Sequence, residues 1–537
     1  MLGNTDLDCD VVVIGAGVTG LYQLYCLRRL GFRVQVFEAG SDVGGTWYWN
    51  RYPGCRFDSE SYSYSYSFSQ EVLDEWDWTE HFSAQTQTER YLQFVADKFD
   101  LRKDIQFSSR VNSALFDEED SCWEITVEGG AQFRCRFLVM CIGHLSAPTL
   151  PNIENIEGFS GEWFHTGLWP KEEVRFSGKD VAVVGTGASG VQMIQEISKT
   201  AKSLTVFQRN PNWCTPLHNK EISKSEMQEI RKKYPQIFQV CGASGGGFIH
   251  TTEDRNALDV TEEEREKFWE KQYAKPGFSM WLGNFKDVYI DREANRLLSE
   301  FVARKIRSRV VDEKIADLLI PKDHGFGTKR VPQETFYYEV YNQSNVRLVS
   351  LKETPFECVT SKGLKTTDRE YEFDTIVYAT GFDAITGSFD RIDIRGVNGR
   401  NLRESWRNKI VTFLGVQVPA FPNFFMVPGP QVLFANHTRL AEFNVEWVTA
   451  LIKHSDGKDL TWVEPRLDAA EDWSNHVEES GKGLLINEID SWMSGVNSNV
   501  EGKQSRVFVR YDGIWPAYRK RCWDIAASGY QELLFSQ

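Results

Sequence analysis

An α/β protein with two parallel sheets and an inserted helical subdomain is the fold class predicted by this sequence of 537 residues, on three observations. A short apolar strand, a glycine turn, a helix and a second strand recur twice in the same register. A charged stretch of helical periodicity, residues 220–324, interrupts the second of these units. An apolar run near residue 375 then returns the chain to strand-forming sequence.

The first unit reads Val11-Val12-Val13-Ile14 as a strand and Gly15-Ala16-Gly17-Val18-Thr19-Gly20 as the turn, then a helix from Leu21 to Leu30 and a strand from Arg33 to Phe37. The second reads Val181-Ala182-Val183-Val184, then Gly185-Thr186-Gly187-Ala188-Ser189-Gly190, a helix from Val191 to Ile197 and a strand from Ser203 to Phe207. G-x-G-x-x-G in this context is the dinucleotide fingerprint. The first glycine makes the turn, the second admits a pyrophosphate, and the third lets helix pack on strand. The chain is therefore expected to hold two Rossmann-like dinucleotide-binding domains. Glu38 and Gln208 each lie 18 residues past the last glycine of their unit. A carboxylate there accepts from a ribose 2′-OH, so the first site suits the AMP half of FAD. The second offers Gln208-Arg209-Asn210 with no acid, and a guanidinium suits a 2′-phosphate. NADPH/NADP+ is the expected ligand there.

After Glu38 comes a loop dense in glycine and aromatics, residues 44–54, in which Gly45, Thr46 and Trp47 are expected to make a second flavin contact. Arg56 and Asp58 follow. Ser61 to Phe68 alternates with period 2 and reads as a half-buried strand with Tyr62, Tyr64, Tyr66 and Phe68 on one face. An amphipathic helix is expected over 79–104. Strands follow at Ile105–Val111, Trp123–Val127 and Phe133–Ile142, and a proline-containing linker at Leu145–Pro151. Strand pattern for the second unit begins near Phe176. In the insert, helices are expected at Ser223–Tyr234, Thr261–Tyr273 and Asp291–Ile315. Strands resume at Val346–Leu351 and Thr375–Thr380, and a helix is expected at Tyr518–Tyr530. The partition is an FAD-binding domain of 1–145 and 383–537, an NADP-binding domain of 146–219 and 325–382, and a helical insertion of 220–324.

Net charge is −15 with pI near 5.3, which disfavours nucleic-acid or anionic-membrane partners. No run of about 18 apolar residues is present and no leader pattern is visible, so neither a membrane span nor secretion is expected. The ten cysteines are scattered, without C-x-x-C and without zinc spacing. That fits reduced thiols in the cytoplasm, excludes a flavin disulfide reductase, and predicts no metal. Nothing in the sequence demands an oligomer, and a monomer suffices.

Between the fingerprints stands Phe159-Ser160-Gly161-Glu162-Trp163-Phe164-His165-Thr166-Gly167-Leu168-Trp169-Pro170. It resembles F-x-G-x-x-x-H-x-x-x-W-P, the signature of type I Baeyer–Villiger monooxygenases. Related flavin monooxygenases that oxidise nitrogen and sulfur end a similar motif in tyrosine. The resemblance spans essentially the whole chain and is closest to the cyclohexanone- and phenylacetone-oxidising members. It implies a catalytic arginine at Arg330, a partner at Asp58, a 2′-phosphate clamp of Lys329 with Arg209, and Trp492 closing over the nicotinamide. It further implies a contact from Val111 to the flavin's adenosine half. Phe434 and His437 fall in the variable substrate-facing loop.

What the resemblance implies chemically is reduction of FAD by NADPH, addition of O₂ at flavin C4a, and attack of the C4a-peroxyflavin on a ketone carbonyl to give an ester or lactone. Arg330 would steady the developing anions. Physically, His165 is a hydrogen-bonded structural histidine holding an inter-domain loop. Two alternatives stand beside this reading: a nitrogen- or sulfur-oxidising monooxygenase, and a flavin/NADP redox sensor without turnover.

Overall fold

The computed structural model describes residues 7–536. Its first sheet takes β1 (Cys9–Ile14), β2 (Val34–Phe37), β3 (Ile105–Gln106), β4 (Val111–Asp117), β5 (Cys122–Val127) and β6 (Gln132–Met140). The second takes β7 (Glu162–His165), β8 (Asp180–Val184) and β9 (Ser203–Gln208), and is completed by β12 and β16 below. A parallel pair, β10 (Thr215–Pro216) and β11 (Gln333–Glu334), joins the two ends of the insert. Then come β12 (Val346–Ser350), an antiparallel trio of β13 (Phe356–Thr360), β14 (Gly363–Thr366) and β15 (Glu370–Glu372), and β16 (Thr375–Tyr378). Late strands β17 (Asp393–Arg395) and β18 (Phe424–Met426) rejoin the first sheet against β4 and β6.

The first sheet runs β17-β4-β5-β6-β1-β2-β3, and the second runs β12-β9-β8-β16-β7. In each, the strand before the glycine turn is central and parallel to its neighbours. Both strands are buried on two faces: Val11 and Val13 join one core while Val12 and Ile14 join another, and Val181 and Val183 part likewise from Ala182 and Val184. That is why they read as unbroken apolar runs rather than alternating ones.

Several sequence expectations are corrected. Ser61 to Phe68 is not a strand: Ser61–Tyr64 is a short helix, followed by extended backbone. Its alternation does not separate core from solvent, because Ser61, Ser63 and Ser65 are as buried as Tyr64 and Tyr66. The serine hydroxyls bond to nearby carbonyls of Glu80, His81, Glu60 and Ser61, the local pairing that lets serine leave a ladder. The 79–104 helix shortens to Gln85–Lys98. The helix expected at 291–315 is two, Arg292–Arg307 and Glu313–Leu319, each opened by an aspartate accepting from the first-turn amides. Strand 105–111 breaks at Ser108, whose φ is 51°. The second sheet also begins earlier than Phe176, with β7. This four-residue edge strand pairs only with β16 and leaves Trp163 exposed, so its apolar pattern is weak.

Candidate functional site

Each glycine turn is shaped by close backbone approach. Gly15 has φ of 101°, and a Cβ on it would stand 2.5 Å from the carbonyl oxygen of Cys141; one on Gly20 would stand 1.8 Å from that of Gly15. The second turn repeats this. Gly185 has φ of 110° with the Ala379 carbonyl 2.5 Å from its would-be Cβ, and Gly190 meets the Gly185 carbonyl at 2.2 Å. Cys141 and Ala379 each follow the last residue of the neighbouring strand, β6 or β16, so the two cradles are superposable in construction. Gly17 and Gly187 are the N-caps of the following helices and no side chain caps either. The first-turn amides are therefore left without a side-chain partner, an arrangement that suits an anion.

In the first cradle, Glu38 accepts from Ala16 N at 2.7 Å and from Gly40 N at 2.6 Å. Burial raises its pKa, and these two backbone bonds oppose the shift. Gly45 lies back to back with Gly17, its would-be Cβ 2.8 Å from the Gly17 Cα. Thr46 opens the short helix Thr46–Trp49. Trp47 Nε1 donates to Tyr64 Oη at 3.1 Å, and the indole edges onto Phe57 at 4.8 Å. Val111 starts β4, close to Ser109, whose amide donates to the Glu38 carbonyl. These residues form one wall. A carboxylate with lone pairs to spare and a turn without side chains fit the AMP half of FAD.

At the second cradle, Thr186 Oγ1 donates to the Asn210 carbonyl at 3.0 Å, which ties the turn to the end of β9, and half-buried Ser189 lies in the helix's first turn. Gln208 faces away, donating to the Leu318 carbonyl at 2.7 Å. Arg209 is exposed and donates to Ser498 Oγ at 2.5 Å. Burial lowers the pKa of Lys329, with Asp323 opposing and the nearby charges of Arg209 and Lys352 adding to the drop. Like charges gathered at the ribose end fit a phosphate dianion there.

Between the cradles, Arg330 Nη1 donates to Asp58 Oδ2 at 2.5 Å. The Asp58 side chain is 5% exposed and that of Arg330 28%. Burial raises the Asp58 pKa, and the Arg330 guanidinium is the largest opposing influence. Arg330 Cζ lies 5.8 Å from the centre of the Phe278 ring. From there aromatic rings continue: Phe278 to Trp281 at 5.3 Å, Trp281 to Phe434 at 6.3 Å, and Phe434 to Trp492 at 6.2 Å. His437 opens the helix His437–Asp456 and faces His144; burial holds both near a pKa of about 4. The sequence reading passed over Phe278, Trp281 and His144. A Phe-Ser-Met-Trp run in an otherwise charged insert was the available signal.

The signature motif lies at the chain's crossing between sheets. A Cβ on Gly161 would meet the Phe159 ring at 2.5 Å and the Asp374 carbonyl at 2.8 Å. His165 ends β7; its Nδ1 accepts from Gly167 N at 3.0 Å, and Phe382 stands 6.0 Å from the ring. Burial lowers its pKa to about 4, with the carbonyls of Thr149 and Gly381 beside it. Trp169 N donates to the Trp49 carbonyl, so Trp169-Pro170 reaches the glycine–aromatic loop of the first sheet. Among the described residues no helix is long and apolar enough to cross a membrane, and no cluster of His, Cys, Asp or Glu could hold a metal.

The flavin-binding monooxygenase-like family matches residues 8–227. The chain is 44% identical to a 2-oxo-Δ3-4,5,5-trimethylcyclopentenylacetyl-CoA monooxygenase of Pseudomonas putida over 97% of each chain. It is 39% identical to a cyclopentanone 1,2-monooxygenase of Comamonas sp. over 97% of this chain and 95% of that one. A phenazine N-monooxygenase of Lysobacter antibioticus is 38% identical over 99% of this chain and 98% of its own. A crystal structure of OTEMO with FAD and NADP superposes with a TM-score of 0.95 at 43% identity, covering 99% of this chain and all of that one.

Proposed function

The chain belongs to the flavin-dependent Baeyer–Villiger monooxygenases, and we propose that it converts ketones to esters or lactones at a site built round Arg330 and Asp58. The overall reaction consumes ketone, O₂, NADPH and a proton and yields ester, NADP+ and water. When bound, FAD accepts the hydride and activates O₂.

The chain's own residues bind, orient and exclude water. The Gly15–Gly20 turn and Glu38 hold the flavin's pyrophosphate and ribose, with Gly45, Thr46, Trp47, Tyr64 and Val111 along its length. The Gly185–Gly190 turn holds the nicotinamide's pyrophosphate, and Arg209 with Lys329 grips the 2′-phosphate. Arg330 supplies a fixed positive charge where oxygen becomes negative. A preorganised donor in a water-poor pocket is typically worth about 3–4 kcal/mol. Asp58 keeps that guanidinium paired and aimed, which a half-buried cation needs. Phe278, Trp281, Phe434 and Trp492 form an apolar wall from Arg330 outward, suited to the hydrocarbon body of a ketone; Phe434 and His437 would face it.

The carrying observation is the Arg330–Asp58 contact of 2.5 Å between the two cradles. Arg330→Ala is expected to keep reduction of the flavin by NADPH while ester formation falls by about 10²–10³-fold or more. Stopped-flow reduction and product mass spectrometry on a ketone panel test this, and full ester output would remove Arg330 from its role. The phenazine-oxidising relative keeps nitrogen oxidation as a second reading. A thioether and a tertiary amine in the same panel separate the two. Ten free thiols support a reducing, cytoplasmic setting, and a monomer is the simplest assembly.

A further inference from the structure

Two buried glutamines stand on one face of the helix Ala188–Ile197, which springs from the second glycine turn. Gln192 Oε1 accepts from Tyr52 Oη at 2.8 Å. Its Nε2 donates to the Arg56 carbonyl at 3.2 Å and reaches Asp58 Oδ1 at 3.4 Å. Three residues on, Gln195 Oε1 accepts from Thr335 N at 2.8 Å and Phe336 N at 2.9 Å, while its Nε2 is spent on the Val191 carbonyl. One glutamine thus holds the segment bearing Asp58, and the other holds the segment that follows Arg330.

The surroundings make these bonds more than incidental packing. Gly54 lies directly on the helix, a Cβ there coming within 2.6 Å of the Gln192 carbonyl. Beside it a cavity of about 250 Å³ opens among Arg56, Gln192, Gln195, Thr335 and Phe336. The two segments therefore meet the helix through backbone contact and amide bonds across a partly hollow junction. The helix itself begins at Gly187, where a bound pyrophosphate would fix its N-terminus.

Resting on the reading that Arg330 and Asp58 form the working pair, we propose that Gln192 and Gln195 are positioning residues that register this pair to the nucleotide-binding helix. Occupancy of the second cradle and the setting of the charged pair then become two views of one equilibrium, and each biases the other.

Gln192→Met and Gln195→Met keep side-chain length and remove the amide bonds. In the FAD-loaded full-length chain, each is expected to raise the NADP+ dissociation constant measured by calorimetry about three- to tenfold. Ester formed per NADPH consumed should fall by a comparable factor, with kcat moving more than the ketone KM. In an Arg330→Ala background the effect on NADP+ affinity should shrink by at least about half, because the amides act through that pair. Values within about twofold of the parent in both readouts, or an NADP+ effect undiminished by Arg330→Ala, would overturn the proposal. Should Gln192→Met not fold, Tyr52→Phe removes the hydroxyl that orients the same amide, and an unchanged NADP+ affinity and coupling in it overturns the proposal equally. Full ester output from Arg330→Ala alone would instead defeat the underlying functional reading, whatever the glutamines do.

Discussion

At the scale of single residues, the site is a balance between burial and pairing. Burial pushes the Asp58 carboxyl upward, and the adjacent Arg330 guanidinium is the largest of the influences that oppose it, with Arg56 and Gln192 on the same side. His144, His165 and His437 have no such partner, and burial carries each to a pKa of about 4. The unfolded chain titrates its histidines near 6.5. Between those values the unfolded state binds protons that the folded state refuses, so stability is complete above about pH 6.5 and is lost as pH falls toward 4. His165→Asn removes one such group. The acid loss of stability between pH 6.5 and 4.5 is expected to shrink, by up to about 2 kcal/mol for a shift of this size. Denaturant melts of the variant and parent at the two pH values measure it, and parallel losses would show that His165 does not carry this linkage.

Among elements, the late segment carrying Trp492 shows how a loop is held without a core of its own. Ser491 caps the turn Trp492–Ser494, and Asn497 Nδ2 donates to the Phe382 carbonyl at 3.0 Å. Lys503 Nζ reaches Asp383 at 2.5 Å, Thr386 at 2.7 Å and Asp390 at 3.0 Å. That ammonium pins the loop to the segment by which the chain returns to the first sheet. Lys503→Met is expected to speed amide exchange across 490–505 by at least about threefold, since charge-assisted bonds to a half-buried ammonium are lost. Unchanged exchange there would mean that the turn at Ser491 suffices. The glycine units, by contrast, need no such anchors, because their geometry is imposed by the carbonyls of Cys141 and Ala379.

Over the whole molecule, the two sheets are joined by two chain crossings that lie side by side. Asp383 N donates to the Ala147 carbonyl, Thr149 N to that of Gly381, and Thr380 Oγ1 to that of Thr149. His165 lies against this junction, beside the carbonyls of Thr149 and Gly381, with Trp169-Pro170 beyond it. A ligand of the second cradle should then stabilise the assembly. NADP+ at about 100 times its dissociation constant is expected to add about 2.7 kcal/mol, seen as a raised melting temperature of the FAD-loaded protein. NAD+ at the same concentration should add far less, because Arg209 and Lys329 would find no 2′-phosphate. Equal shifts would refute the assignment of that pair.

Fingerprint glycines, the contrast between Glu38 and Arg209, and the doubly buried strands were legible in the chain because each depends on residues within about thirty positions of one another. The meeting of Asp58 with Arg330 was available only through family resemblance, being 272 residues apart in sequence. Local pattern failed at Ser61 to Phe68, where the buried serines paired with carbonyls beside them in space, two of them some twenty residues on in sequence, and nothing in it marked Gln192 or Gln195. Period and turn chemistry are short-range quantities, so the sequence by itself determined the two cradles and their ligands' charges. Which buried amide meets which loop is decided by contacts across three separate stretches of chain, and only the tertiary structure could settle that.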